Sequence, residues 1–244
     1  MRILLLSATI AEIEPFLVRY QAQPSAQLPQ ETYRLQINNN RITVVITGAG
    51  MMHVAYHTSL ALFQRPFDIA IQAGIAGSFN PSLALGEVVH IKSEQMADLG
   101  VEDHDLFIPI TEMPFFEPDK FPYEKGKLLN YTQPEEKLFG LSSIKVVSGI
   151  TVNTASGNAK TIAQRQHLFS TYVETMEGAA FFYACLMQYT PFCQIRTISN
   201  YIEPRNTANW NIPIAIEALS RCLGELFESG KEEEGVLIAQ KDNH

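Results

Sequence analysis

The chain opens on a short β-type run, RILLLS (2–7), apolar from Ile3 to Leu6, and then changes period. Ile13, Phe16, Leu17 and Tyr20 fall at helical spacing over 11–20. A continuous short run reads as a strand buried on both faces, and the 3–4 spacing reads as a helix with one apolar stripe. The same alternation recurs along the sequence. A polar, Pro-containing loop (21–30) leads to two strand-like stretches, 31–37 and 41–47. Asn38, Asn39 and Asn40 lie at the junction and tolerate the left-handed geometry of a hairpin turn. A Gly-containing turn at 48–50, a helix over 51–63 and a strand at 68–73 come next. The Gly-rich string Ala73-Gly74-Ile75-Ala76-Gly77 reads as a second turn before a strand at 86–91.

Regular patterning lapses over 97–131, which is rich in Pro, Phe and acidic residues and is expected to be an irregular insertion or lid. It then resumes, with strands at 144–149, 171–174 and 192–198 and helices at 155–169, 177–189 and 209–228. Strands alternating with helices predict an α/β fold, a three-layer α/β/α arrangement around a central mixed sheet. No repeat or linker divides the chain. It is expected to be one domain over 1–244, with a frayed polar tail from about 230.

Composition narrows the function classes. Forty-six per cent of the 244 residues are apolar, enough for a sizeable core, yet no run reaches the roughly 18 residues a membrane helix needs. The N-terminal apolar run lacks the basic flank and cleavage site of a secretory signal, so a cytoplasmic location without membrane contact is expected. The net charge of −8 argues against a nucleic-acid partner. Cys185, Cys193 and Cys222 are scattered in apolar segments and read as core residues. The six histidines show no metal-ligand spacing; His53 and His57 share a helix face without a third ligand. Neither a metal nor a cofactor is expected, and without GxGxxG after the first strand a Rossmann oxidoreductase is disfavoured.

Three segments bring polar side chains to strand ends, where open α/β sheets collect ligands. They are SATIAEIEP (7–15), VETMEGAAFF (173–182) and IRTISN (195–200). Together with the glycines at 48–50 and 74–77, in this order and spacing, they resemble the nucleoside phosphorylase/methylthioadenosine nucleosidase superfamily from residue 1 to about 228. The resemblance implies cleavage of the N-glycosidic bond of a small nucleoside. Such a reaction passes through a ribose cation-like state and needs a sugar clamp, an activated nucleophile and a partner for the departing base. Glu177 would clamp the 2′ and 3′ hydroxyls, with Met176 packing on the sugar and Glu174 as a further acidic group. Glu12 would activate water, with Glu14 as its competitor two positions on. Asn200 would meet the base, where methylthioadenosine nucleosidases carry Asp.

Related phosphorylases carry Ser or Thr at the position of Ile75, beside Gly74, and an Arg before that turn. Their absence implies water rather than phosphate as the acceptor. SGITVNT (148–154) is expected to face the base through Thr151, Val152 and Asn153. ADLGVED (97–103) and SNYIEPRN (199–206) with Trp210 resemble one hydrolase branch acting on an oxopurine nucleoside with a carboxylated aromatic group on its 5′ side. Arg205 would be the cation for that carboxylate, and Phe115, Phe116 and Tyr123 are candidates to cover the aromatic tail. Dimers are common in the superfamily, so a homo-oligomer is expected, with residues around Asp103 and His104 near the interface. The alternatives are a methylthioadenosine/adenosylhomocysteine nucleosidase, a purine nucleoside phosphorylase, or a non-catalytic nucleoside-binding or storage protein. The presence of both Glu12 and Glu177 counts against the last.

Overall fold

The computed structural model describes residues 1–26, 30–104, 106–134, 137–138 and 140–228. The strands are β1 (Arg2–Ser7), β2 (Gln23–Pro24), β3 (Thr32–Ile37), β4 (Asn40–Ile46), β5 (Ile69–Ser78), β6 (Val88–Met96), β7 (Gly100–Asp103), β8 (Leu106–Pro109), β9 (Tyr123–Glu124), β10 (Lys127–Leu129), β11 (Lys145–Thr151), β12 (Val173–Thr175) and β13 (Phe192–Tyr201). The helices are α1 (Ile10–Arg19), α2 (Met51–Gln64), α3 (Ala159–Phe169), α4 (Gly178–Met187) and α5 (Ile212–Glu228). The tail from about 230 lies outside the described residues.

The central sheet is mixed, as expected. It runs β2-β3-β4-β1-β5-β12-β11-β6-β10-β9, with β13 joined to both β5 and β6. Residues on β1 alternate between two cores. Ile3 and Leu5 pack with α1 and α5 side chains such as Phe16, Leu219 and Phe227 on one face. Leu4 and Leu6 pack with Val54 of α2 and Phe181 of α4 on the other. Burial on both faces is why Ile3 to Leu6 are all apolar, each such side chain contributing about 1.5–3 kcal/mol. The three cysteines are buried and form no disulfide, as expected of core residues. Among the described residues, no helix is long and apolar enough to cross a membrane, and no three His, Cys, Asp or Glu converge as a metal site.

Two expectations are corrected. The Gly-rich stretch 73–77 is not a turn; β5 continues straight through it to Ser78. Its backbone groups are held in the ladder because β13 pairs with β5 from Ala70 to Ser78, while β12 takes the other edge at Gly77 and Ser78. The segment 97–131 is not wholly irregular either. It contains the β7–β8 hairpin and the β9–β10 pair, too short to leave a period in the sequence.

The double pairing of β13 closes a ring, β5–β12–β11–β6–β13 and back to β5. Closure removes strand edges. It also gathers the carboxyl ends of β1, β5, β12 and β13 around one opening.

Candidate active site

A cleft of about 350 Å³ opens at those strand ends. Glu12, Ile75, Glu174, Met176, Glu177, Asn200 and Arg205 all line it, so residues spread across the sequence converge there as the motifs implied. Each is placed by a local device.

Glu12 lies in the first turn of α1, whose N-cap is Thr9. One carboxylate oxygen, Oε2, accepts from the Thr9 backbone N–H and hydroxyl, both at 3.0 Å. The other, Oε1, accepts from Ile75 N–H at 3.0 Å. The two acids differ in placement. Glu12 is 9% exposed and faces the cleft, whereas Glu14 is exposed and lies outside it.

Glu177 occupies the N-cap position of α4 but caps nothing. The first N–H groups of the helix are taken by others: Gly178 N–H donates to Thr175 Oγ1 at 3.2 Å and Ala179 N–H to Thr151 Oγ1 at 2.7 Å. That substitution frees the Glu177 carboxylate for the cleft. Its Oε1 accepts from Gly50 N–H at 3.1 Å, and its Oε2 lies 3.4 Å from Arg196 Nη2.

Arg196 is the functional candidate that the sequence reading overlooked. It is 1% exposed, at the centre of β13, and its guanidinium stands between the two acids. Arg196 Nη1 and Glu12 Oε1 both come within 3 Å of the point a Cβ on Gly74 would occupy. Gly74 is therefore the residue that lets the acid and the guanidinium approach, although it does not itself line the cleft. The available signal was a charge inside an otherwise strand-like run, FCQIRTIS (192–199), since a buried Arg must find an anion.

Asn200 follows a β-bulge, where the β13–β5 register shifts between Ile198 and Asn200. Bulges re-aim side chains, and this one turns Asn200 into the cleft. Its Oδ1 accepts from Ser199 Oγ at 2.8 Å and its Nδ2 donates to Tyr201 O at 3.1 Å. One amide hydrogen and one lone pair remain for a ligand.

Other expectations need correcting. Thr151 and Val152 are fully buried and Asn153 bonds to Asp98, so none of the three lines the cleft. They sit at the end of β11, where Thr151 serves α4. Ala155 and Ser156 form that wall instead. Glu174 borders the cleft, but its oxygens are engaged: Oε1 by Ser156 N–H at 2.7 Å, Oε2 by Ser156 Oγ at 2.6 Å and Arg165 at 3.0 Å. It positions that wall rather than offering a free carboxylate. Phe115, Phe116 and Tyr123 lie away from the cleft; Phe116 and Tyr123 pack on each other with ring centres 5.0 Å apart. At the far end Ile202, Trp210, Ile212 and Ile216 make an apolar wall, and Arg205 lies over the Trp210 ring at 5.2 Å.

The cleft rests on a further acid. Glu94 of β6 is fully buried, accepts from Thr151 Oγ1 at 2.9 Å, and has no partner at Oε1 although the Gln194 amide lies beside it. Gly178 permits this; a Cβ there would lie 1.9 Å from Glu94 Oε1. Burial pushes the Glu94 carboxyl up to about 7, against the opposing pull of Thr151, Arg196 and Gln194, with Glu177 adding to the rise. A raised acid stabilises the fold at low pH, and that contribution is lost as pH climbs from the unfolded value, near 4.5, through about 7. Glu94→Gln, which stays neutral, is expected to lose less stability than the parent between pH 5 and pH 8, by up to about 3 kcal/mol. Parallel denaturant titrations at the two pH values check this, and identical pH dependence would refute it.

A family model described as "Phosphorylase superfamily" matches residues 2–228. The chain belongs to the phosphorylase superfamily. Among superfamily proteins it is 31% identical over 177 residues to the futalosine hydrolase of Streptomyces coelicolor, covering 71% of this chain and 72% of that one. It is 29% identical over 175 residues to the 5′-methylthioadenosine/S-adenosylhomocysteine nucleosidase of Colwellia psychrerythraea, covering 68% and 69%. The solved futalosine hydrolase of Helicobacter pylori shares the superfamily fold with it, with a TM-score of 0.76 at 16% identity over 93% of this chain and 97% of that one.

Proposed function

We propose that this superfamily member hydrolyses the N-glycosidic bond of a purine nucleoside, and that the nucleoside is futalosine, yielding hypoxanthine and dehypoxanthine futalosine. The observation that carries hydrolysis is the buried trio Glu12–Arg196–Glu177 at the cleft floor. Glu177 accepts hydrogen bonds from the sugar hydroxyls and sits near the positive charge that develops at the anomeric carbon. Glu12 accepts the proton of the attacking water as its oxygen bonds to that carbon, and the bonding pair leaves with the base. Arg196 pairs with Glu177 at 3.4 Å and fixes the direction of its carboxylate. Phosphate has little to bind: the Ile75 N–H is already committed to Glu12, and the side chain beside it is apolar.

Asn200 favours an oxopurine. Its remaining N–H meets the O6 acceptor and its carbonyl meets an N7–H, whereas an aminopurine would set donor against donor. Arg205 at the end of the apolar wall suits a carboxylate on the 5′ substituent. The wall itself favours a second reading, a methylthioadenosine/adenosylhomocysteine nucleosidase, since Ile202, Trp210, Ile212 and Ile216 would equally accept a thioether tail.

Base release from futalosine, inosine and methylthioadenosine, each with and without phosphate, separates the readings. Futalosine is expected to be turned over fastest, at a phosphate-independent rate and with free sugar as product. A ribose 1-phosphate product would overturn hydrolysis, and preference for methylthioadenosine would select the second reading. Asn200→Asp is expected to lower futalosine turnover and raise relative activity on adenine nucleosides. An unchanged preference would place base selection in the 155–156 wall.

A further inference from the structure

A second cleft, of about 550 Å³, lies at the amino-terminal ends of β1 and β4, the opposite end of those strands from Glu12. Four of the nine arginines in this acidic chain line it: Arg2, Arg34, Arg41 and Arg65. Their convergence follows from register. Arg2 is the parallel partner of Arg41, and Arg34 stands opposite Thr43 across the β3–β4 pair. With a side-chain period of two, Arg2, Arg34, Arg41 and Thr43 share one face, while Leu35, Ile42 and Val44 enter the core on the other. Arg65 and Phe67, from the connection between α2 and β5, close the side.

The cleft is poorly neutralised. Asp68 accepts from Arg2 N–H at 2.6 Å and lies 3.8 Å from its guanidinium, and no carboxylate lines the cleft among the described residues. Like charges on neighbouring strands repel. Burial and then the charge of Arg65 pull the Arg34 guanidinium below its ordinary value. The donors are spread across β1, β4 and β3, about 10 Å at the usual strand spacing. One phosphate cannot bridge that width, whereas two linked phosphates can. Arginine forks suit phosphate oxygens, and Gln23, Gln36 and Thr43 supply neutral partners on the same lining.

We propose that this cleft binds a diphosphate group, either as the free anion or carried on a nucleoside. The site is separate from the nucleosidase cleft, so its test needs no turnover. Calorimetric titration of the full chain with inorganic pyrophosphate is expected to show one saturable site, and inorganic phosphate to bind at least tenfold more weakly. Arg34→Gln and Arg65→Gln should each weaken pyrophosphate about tenfold or more, in line with the loss of a charged hydrogen bond. Arg41→Gln, at an exposed position, provides the same readout if Arg34→Gln fails to fold. Arg19→Gln, outside the cleft, should have no effect. ADP binding tighter than pyrophosphate would identify the nucleoside-borne form, with Phe67 beside the base; equal binding would identify the free anion. Absence of saturable binding, phosphate binding as tightly as pyrophosphate, or equal losses in Arg19→Gln and the cleft variants would overturn the proposal.

Discussion

Replacing Glu12 by Gln is expected to lower turnover by about 10²–10⁴-fold, the usual loss when a general base is removed with its shape retained. The geometry explains why the loss should be nearly pure in rate. Glu12 points into the cleft between α1 and β5, anchored through Thr9 and Ile75, and Gln fills the same space. One anchor weakens, because an amide nitrogen cannot accept the N–H or hydroxyl of Thr9. A modest fall in thermal stability of the helix-capping size, about 1 kcal/mol, should accompany the kinetic loss. Glu14→Gln is the matched control; its side chain is exposed on the far side of the same helix and its variant should keep full activity. Steady-state rates of base release on both variants decide the matter. Near-full activity in Glu12→Gln would remove Glu12 from the proton-accepting role.

The second large effect is expected at Arg196, and it falls on stability as well as on rate. Arg196→Met preserves volume but strands Glu177 in a site almost closed to water. Breaking one partner of a buried pair costs about 3–5 kcal/mol, because an uncompensated charge remains. Activity should collapse as well, because Glu177 loses the partner that orients it toward the sugar. The double variant Arg196→Met/Glu177→Gln is the discriminating measurement. It should recover a good part of the lost stability without recovering activity, since the stranded charge is gone but the sugar clamp is gone too. Additive losses in that cycle would show that the pair is not coupled.

Much of this architecture is legible in the sequence. RILLLS is a strand because its centre, Ile3 to Leu6, is a short unbroken apolar run, and the stripe through Ile13, Phe16 and Leu17 is a helix because its period fits no other element. The hairpin at Asn38–Asn40 and the strand-helix alternation follow from equally local rules. The acids at 12 and 177 stand out through the family resemblance of their motifs, since a carboxylate opening a helix is ordinary by itself. The amino-acid pattern also places Asn200 at a strand end.

Tertiary structure decided the rest. Gly74 and Gly77 read as a turn in the sequence, since glycine marks turns, yet they lie within a strand because β12 and β13 approach from either edge. Thr151 reads as a base contact, but its hydroxyl caps α4, which is what releases the Glu177 carboxylate. Glu174 reads as a free acid until Arg165 and Ser156 arrive from α3 and its preceding loop. Arg196 shows locally only as a charge inside a strand-like run and Glu94 has no local mark, because the role of each is defined by a partner distant in the chain. Propensity and periodicity are local and fix the elements. Charge pairing and capping by remote side chains depend on which strands become neighbours, and only closure of the β5–β12–β11–β6–β13 ring set those neighbours.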